Sequence, residues 1–160
     1  MRIKIFTTGG SLDKRYSTRE SAFLVGNPQV AGILEAANVT VQYEIEPLLR
    51  KDSLEITEED RELIFQKVKE EPCHHVLITH GTDTMTTTGR RLSEIPGKTI
   101  VLTGAMQPAA FKDSDAPFNV GFALAALQTM PPGVYLAMNG KIFDPRHASK
   151  NMEEDRFVAE

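Results

Sequence analysis

Short runs of apolar residues alternate with helix-like stretches along most of the chain. The runs that favour strands are residues 3–7, 39–43, 75–79, 99–103 and 134–138. Near-continuous apolar strands that alternate with helices are typical of a parallel sheet covered on both faces. The pattern therefore predicts an α/β fold: a three-layer, Rossmann-like sandwich with a mostly parallel sheet, in a single domain over residues 1–160.

Two of the predicted helices have start signals. Asn27 followed by Pro28 is typical of an N-cap with proline at the first helical position, and this helix is predicted to run to about residue 37. Thr57 and Asp60 have the spacing of a capping box, which predicts a second helix start. The apolar face of that second helix is predicted to consist of Leu63, Ile64 and Val68.

Two further helices are predicted from apolar spacing alone. Their apolar positions are Met85, Leu92 and Ile95 in one, and Phe118, Phe122, Ala125 and Leu127 in the other. Residues 12–26, 50–53 and 104–116 show no clear period and are predicted to be loops. The polar stretch 143–160 receives no assignment.

Composition narrows the functional classes. The chain has 160 residues, 41% hydrophobic and 25% charged, which is typical of a globular protein. No run approaches the ~20 apolar residues of a membrane span, and residues 3–6 are too few for a signal-peptide core. The lone Cys73 suits a reducing, cytoplasmic setting, and a net charge of −4 disfavours nucleic-acid binding. We therefore expect a cytoplasmic protein with no membrane or nucleic-acid partner.

Small polar residues cluster where three of the predicted strands end. These segments are Thr8–Ser11, His80–Thr84 and Thr103–Pro108. Ligands of open α/β sheets bind beyond the carboxyl ends of the strands. The sequence therefore predicts a functional site formed by these three loops.

The first segment has two interpretations. Gly9 and Gly10 allow a sharp turn that leaves the Ser11 hydroxyl exposed at a loop tip. Taken alone, the same residues are more typical of a plain strand-end turn or of an anion cradle for phosphate. The segment has neither the dinucleotide fingerprint nor the Walker A pattern.

The second segment is more specific, but it also leaves alternatives open. Asp83 suits a helix cap, yet Thr82 and Thr84 flank it, and an activated threonine hydroxyl can act in catalysis. Lys150 is either the cation that completes such a relay or an ordinary surface lysine. The histidines offer no metal-ligand spacing, so no metal is expected.

Five segments together resemble the bacterial-type L-asparaginase family. Thr7–Ser11 resembles its Thr-Gly-Gly-Thr motif, and His80–Met85 matches its second signature. The other three similar segments are Asp52–Ser53, Gly104–Met106 with Pro108, and Asp144–Lys150. The resemblance covers nearly the whole chain in order, and it implies hydrolysis of L-asparagine to L-aspartate and ammonia without a cofactor.

The resemblance also implies catalytic roles. Ser11 would attack the side-chain amide carbon and form an acyl-enzyme intermediate. Thr82, Asp83 and Lys150 would form a second triad that assists hydrolysis of the ester, and Asp83 would also receive the substrate α-ammonium. Tyr16 is the candidate for the mobile tyrosine that activates the nucleophile, although the spacing in that loop varies within the family.

Substrate binding is implied at five further positions. Ser53, next to Asp52, would receive the substrate α-carboxylate. Ala105 would offer its backbone carbonyl to the leaving amide nitrogen. Gly10 and Gly81 lie at glycine-rich strand ends, where backbone N–H groups can stabilise a developing oxyanion.

The chain departs from the family pattern in two ways. Ser11 stands where the family usually has threonine, which loosens χ1 and the attack geometry. The chain also resembles short forms that correspond to the N-terminal domain alone, without a C-terminal domain, so a homo-oligomer, a dimer or higher, is expected to complete the site. Two alternatives stay open: an amidase or amidotransferase subunit for a larger amide, and a non-catalytic amino-acid-binding sensor.

Overall fold

A six-stranded sheet forms the centre of the computed structural model, which describes residues 1–160. Its strands are β1 (Arg2–Gly9), β4 (Gln42–Lys51), β5 (His75–Thr79), β6 (Thr99–Thr103), β7 (Gly133–Met138) and β8 (Lys141–Phe143). The order across the sheet is β4-β1-β5-β6-β7-β8, and only the β7–β8 pair is antiparallel. The predicted mostly parallel sheet is confirmed.

Four helices cover the two faces of this sheet. They are α1 (Val30–Ala36), α2 (Glu58–Glu70), α3 (Met85–Leu92) and α4 (Ala116–Thr129). One hydrophobic cluster joins the sheet to α1 and α4, and a second joins it to α2 and α3. Alternate strand residues serve the two clusters, since Leu77 belongs to the first and Ile78 to the second. The three-layer prediction is confirmed; no helix has the length and apolarity needed to cross a membrane.

The strongest local signals predicted their elements well. Strands 75–79 and 99–103 have the predicted bounds, and the predicted strand 134–138 begins one residue earlier. The capping box of α2 is present, because Thr57 Oγ1 accepts from the Asp60 N–H at 3.1 Å and Asp60 Oδ2 accepts from the Thr57 N–H at 2.9 Å. Leu63 was wrongly placed on the buried face, since its side chain is exposed.

The prediction of a loop over residues 12–26 is wrong. This segment contains a 3-10 turn and a hairpin of β2 (Lys14–Ser17) and β3 (Ala22–Val25). Tyr16 lies opposite Phe23, and their rings make an edge contact at a centroid distance of 5.3 Å. A hairpin so short has too few residues for an apolar period to stand out, which explains the error.

The predicted start of α1 at Asn27 and Pro28 is also wrong. The helix begins at Val30 with Gln29 as its N-cap. The Gln29 N–H donates to Asp13 Oδ1 at 2.9 Å. The capping acceptor comes from a distant part of the chain, so the local capping signal misled the prediction.

The strand predicted at 39–43 begins later and runs much further. β4 spans Gln42–Lys51, so it includes Pro47 and also Arg50 and Lys51, which were predicted to lie in a loop. β4 is at the sheet edge, where a proline sacrifices no ladder hydrogen bond on the open side. Pro47 pairs with Thr7 on β1.

Three apolar positions and the C-terminal stretch complete the picture. Ile95 is buried but lies beyond the end of α3, while Phe118 and Ala125 on α4 are exposed, so the apolar positions predicted for both helices need correction. The unassigned stretch forms a 3-10 turn (Pro145–His147) and a hairpin of β9 (Ala148–Asn151) and β10 (Arg156–Ala159). This hairpin packs on the sheet through Phe157 and Phe143.

Candidate functional site

Three loops meet at the carboxyl edge of the sheet, where β1, β5 and β6 end. Gly10 has a φ of +82°, and a Cβ built on it would lie 2.5 Å from the Cα of Gly81. A Cβ on Gly81 would lie 2.6 Å from the Cβ of Ser53. Only glycine permits these approaches, so the two glycines bring the loops containing Ser11, Ser53 and Thr82 together.

Ser11 opens the 3-10 turn that follows β1 and is half-buried. The backbone that precedes it is held by hydrogen bonds to the two strands that flank β1, which are β5 and β4. The Thr8 hydroxyl donates to the Thr79 carbonyl at 2.8 Å, and the Gly10 N–H donates to the Lys51 carbonyl at 2.9 Å. The backbone that leads to Ser11 is therefore fixed by hydrogen bonds, while the Ser11 hydroxyl has no hydrogen-bond partner in the chain.

Two backbone donors in these loops have no acceptor in the protein. Neither the Ser11 N–H nor the Thr82 N–H donates a hydrogen bond to another part of the chain. Free backbone N–H groups in loops held together by Gly10 and Gly81 are suited to an oxygen that gains negative charge.

Lys150 joins the loop after β5 from the C-terminal hairpin. Its Nζ lies 2.8 Å from Thr82 Oγ1 and 2.8 Å from Asp83 Oδ1. The side chains of Lys150 and Asp83 are 12% and 26% exposed, so their ion pair is largely shielded from water. Asp83 does not cap α3, whose N-cap is Thr84, and Lys150 is no ordinary surface lysine. The geometry therefore brings together the three residues of the predicted relay, and their catalytic role stays a prediction.

Helix α3 positions the segment that carries Lys150. The Arg90 guanidinium donates to the carbonyls of Pro145 at 2.9 Å and Ala148 at 3.3 Å. Gly89 packs so closely on Pro145 that a Cβ there would lie 2.7 Å from the proline ring. The same helix thus begins beside Asp83 and ends by anchoring the strand of Lys150.

Ser53 is buried directly beside this loop, and Thr84 makes two contacts with it. The Thr84 N–H donates to Ser53 Oγ at 3.3 Å, and the Thr84 hydroxyl donates to the Ser53 carbonyl at 2.8 Å. Neighbouring Asp52 forms an ion pair with Lys14 at 2.8 Å. That hydrogen bond from Lys14 lowers the pKa of Asp52, with smaller help from the Lys150 charge. The sequence analysis did not predict Lys14 as a residue of the site.

Ala105 is buried in the loop after β6, and that loop is held from α4. Asn119 Nδ2 donates to the Gly104 carbonyl at 2.9 Å. The Asp115 carboxylate accepts from the Met106 N–H at 2.9 Å. These bonds fix the backbone on both sides of Ala105.

Tyr16 differs from the other nine candidates because its side chain is largely exposed. It lies on β2, and its ring contacts Phe23, which in turn contacts Phe111 at a centroid distance of 5.5 Å. The structure records no hydrogen bond between Tyr16 and Ser11. Tyr16 is therefore the candidate that the geometry connects least to the others.

A buried polar network behind the loop was missed from the sequence. His80 is fully buried, with Nδ1 2.7 Å from the Gly81 carbonyl oxygen and Nε2 2.7 Å from Thr88 Oγ1. Arg61 Nε donates to Thr88 Oγ1 at 3.1 Å. Burial lowers the pKa of His80 to about 4, and the nearby Arg61 charge acts in the same direction.

The helical spacing of α2 held a signal for this network. Arg61 is buried together with Ile64, Phe65 and Val68, which follow it at the i+3, i+4 and i+7 positions of one face. A charge on an otherwise apolar face needs a polar partner in the interior. That rule would have identified Arg61, although not its partners.

The assembled site combines a half-buried serine, free backbone donors and a shielded lysine–aspartate pair beside a threonine. This set is suited to nucleophilic attack on a carbonyl group, because it offers a hydroxyl, an oxyanion site and a charged relay. No group of three or more His, Cys, Asp or Glu side chains is arranged to hold a metal ion.

Comparison with known proteins identifies close structural relatives. Residues 2–157 match the model of the family described as "Asparaginase, N-terminal". The L-asparaginase of Thermococcus kodakarensis is 33% identical over 94% of this chain and 48% of its own length. Its solved structure superposes with a TM-score of 0.84 at 28% identity, covering 99% of this chain and 51% of that one.

Two other relatives are similar at a lower identity or over a shorter part of the chain. A glutaminase-asparaginase of Acinetobacter glutaminasificans is 29% identical over 99% of this chain and 53% of its own length. One component of the glutamyl-tRNA(Gln) amidotransferase of Methanococcus vannielii is 40% identical, but over only 43% of this chain. The chain spans about half the length of the full-length relatives that it matches.

Proposed function

Because the chain belongs to the asparaginase family, we propose that it is an amidohydrolase that converts L-asparagine to L-aspartate and ammonia. One observation carries the proposal: the Lys150 ammonium lies 2.8 Å from both Thr82 Oγ1 and Asp83 Oδ1. The Gly10–Gly81 contact brings this group to the loop of Ser11.

In the first step, the Ser11 hydroxyl attacks the side-chain amide carbon of asparagine. The carbonyl oxygen becomes negative, and the free N–H groups of Ser11 and Thr82 are its proposed donors. The C–N bond then breaks, and the amide nitrogen leaves as ammonia after gaining the serine proton. The product of this step is a β-aspartyl ester on Ser11, with Tyr16 proposed to assist the proton transfer.

In the second step, water hydrolyses the ester and releases aspartate. Thr82 is proposed to take a proton from that water while it passes its own hydroxyl proton to the leaving Ser11 oxygen, and the Lys150 charge beside its hydroxyl stabilises the alkoxide character that develops between the two transfers. Asp83 balances the lysine charge and holds it in place. Serine regains its proton, so the cycle needs no cofactor.

The substrate zwitterion requires one contact for each of its two charges. The Ser53 hydroxyl is the proposed donor to the α-carboxylate, beside Asp52, whose own charge is paired with Lys14 at 2.8 Å, and Asp83 receives the α-ammonium. Ala105 offers its carbonyl to the leaving nitrogen, in a loop whose backbone is fixed by hydrogen bonds from α4. An assembly of two or more copies in the cytoplasm is proposed to complete recognition of the ammonium.

The decisive experiment is ammonia release from L-asparagine by the purified protein. We expect turnover in the parent protein and a fall of about 1000-fold in Ser11→Ala, because the nucleophile is lost. Ser93→Ala, at the far end of α3, is the matched serine control and should retain turnover. Equal activity of Ser11→Ala and the parent would contradict the assigned nucleophile.

A second candidate is favoured by the partial similarity to the amidotransferase component. In this alternative, the same site hydrolyses an amide for a larger acceptor assembly. Labelling of Ser11 by a reactive amide analogue, together with no turnover of free asparagine, would favour it over the first proposal.

A further inference from the structure

Three buried side chains behind the Gly81 loop, Arg61, Thr88 and His80, form a series of hydrogen bonds that ends at the Gly81 carbonyl. In this series each group donates to the next. The Gly81 carbonyl can only accept, so the His80 Nδ1 that lies 2.7 Å from it must carry the proton. His80 is neutral near neutral pH, so its Nε2 is an acceptor. The Thr88 hydroxyl, 2.7 Å from Nε2, therefore donates to it.

Arg61 is the first donor of this series of hydrogen bonds. Its Nε donates to Thr88 Oγ1 at 3.1 Å and so occupies the acceptor side of that hydroxyl. The single hydroxyl proton of Thr88 is then available for His80. Arg61 also donates through Nη1 to Glu58 at 2.8 Å, which holds its guanidinium in this position.

This series of hydrogen bonds ends at the peptide group between Gly81 and Thr82. This peptide is trans, so its carbonyl and its N–H point in opposite directions. The Gly81 carbonyl is drawn towards the buried ring of His80. The Thr82 N–H is thereby turned away from the interior, and it has no acceptor in the chain.

We infer that Arg61, Thr88 and His80 are positioning residues, which hold the Gly81–Thr82 peptide with its N–H directed at the reacting carbonyl oxygen. This role rests on the proposed amidohydrolase function. None of the three touches the substrate, and each acts through the next: Arg61 on Thr88, Thr88 on His80, and His80 on Gly81. Loss of one link frees the peptide to rotate, which weakens the oxyanion donor.

Nitrogen-15 NMR of the parent protein tests the direction of these hydrogen bonds without any assay of activity. The expected result at neutral pH is His80 in the neutral form with the proton on Nδ1. An imidazolium, or a neutral ring with the proton on Nε2, would overturn the proposal. Because this readout needs no substrate, it separates failure of the network from failure of the proposed function.

Thr88→Val tests the catalytic consequence, because valine keeps the shape of threonine and removes its hydroxyl. We expect kcat for asparagine to fall about 10- to 100-fold with KM changed by less than about twofold, as for a weakened oxyanion donor. Thr88→Ser, which restores the hydroxyl, should recover kcat to within about threefold of the parent.

The kinetic results also define what overturns the proposal. A folded Thr88→Val with parent kcat, or a Thr88→Ser as impaired as Thr88→Val, would contradict a positioning role. Should Thr88→Val not fold, Arg61→Met carries the same test: kcat should fall about 10-fold with KM unchanged, and an unchanged kcat would reject the inference.

Discussion

The candidate site has two unequal halves. Thr82, Asp83 and Lys150 form a half that is mostly buried and joined by an ion pair at 2.8 Å. Ser11 and Tyr16 form the other half, in which the serine hydroxyl has no partner and 56% of the tyrosine is exposed. The first half is fixed before substrate binds, whereas the second keeps its functional groups free.

This difference follows from what each half must do. A charged relay is effective only when water is excluded and its geometry is preset, because reorganisation would cost part of its stabilisation. A nucleophile needs access to substrate, and a tyrosine on the short β2–β3 hairpin can approach when substrate arrives. We therefore expect that, with the nucleophile Ser11 left intact, changes in the buried half cost more activity than a change at Tyr16 in the exposed half.

Among changes that leave Ser11 intact, the largest effect is expected for Lys150→Met. Methionine keeps most of the side-chain volume but removes the charge beside Thr82 and leaves Asp83 without its partner. We expect kcat for asparagine hydrolysis to fall about 1000-fold, measured by ammonia release. Lys141→Met, an exposed lysine on β8, is the matched control and should retain activity. A small loss in Lys150→Met would show that the buried half is not the catalytic relay.

A smaller effect is expected for Tyr16→Phe, which removes only the hydroxyl from the exposed half. If this hydroxyl moves a proton for Ser11, kcat should fall about 100-fold, at the lower end for general acid–base groups. Tyr43→Phe on β4, near the amino end of that strand, is the control. Full activity of Tyr16→Phe would remove Tyr16 from the mechanism and reduce the exposed half to Ser11.

The smallest effect on turnover is expected for Asp13→Asn, which changes stability instead. Burial raises the pKa of Asp13 to about 6. Between pH about 4 and about 6, the folded protein binds more protons at this site than the unfolded chain. The contribution of Asp13 to the free energy of unfolding therefore decreases as pH rises through this range, and the penalty is complete above it.

Asparagine removes this penalty and keeps an oxygen for the Gln29 N–H. Asp13→Asn should exceed the parent by about 2 kcal/mol in free energy of unfolding at pH about 8, and by little near pH about 4. Urea denaturation at both pH values measures this difference, with the exposed Asp113→Asn as control. A gain that is equal at both pH values would mean that charge is not the cause.

The sequence predicted the elements whose signals are local. The buried strands β5 and β6 are continuous apolar runs, and the start of α2 is specified by Thr57 and Asp60 within a single turn. The segments with small polar residues at strand ends meet as expected, since parallel strands bring their carboxyl ends to one edge. Patterns that lie within a few residues were therefore sufficient for most of the fold.

Apart from the short β2–β3 hairpin, the main failures involve contacts between residues that are distant in sequence. The cap of α1 comes from Asp13, and the Asp52 carboxylate is paired with Lys14. The relation of Thr88 to Arg61 joins two helices, so neither local spacing could reveal it. Such contacts depend on the tertiary arrangement, which the apolar pattern of either partner does not specify.

Helix α3 is attached to the segment that leads into the C-terminal hairpin, so the Lys150–Asp83 ion pair forms only while the two are packed together. Arg90 and Gly89 hold the segment from Pro145 to Ala148, and that segment delivers Lys150 to Asp83. Detachment of this hairpin would separate the charged pair while the central sheet stays folded. Under the proposed mechanism, the fraction of molecules able to catalyse the reaction therefore depends on the free energy of this local opening, which can be lower than that of global unfolding.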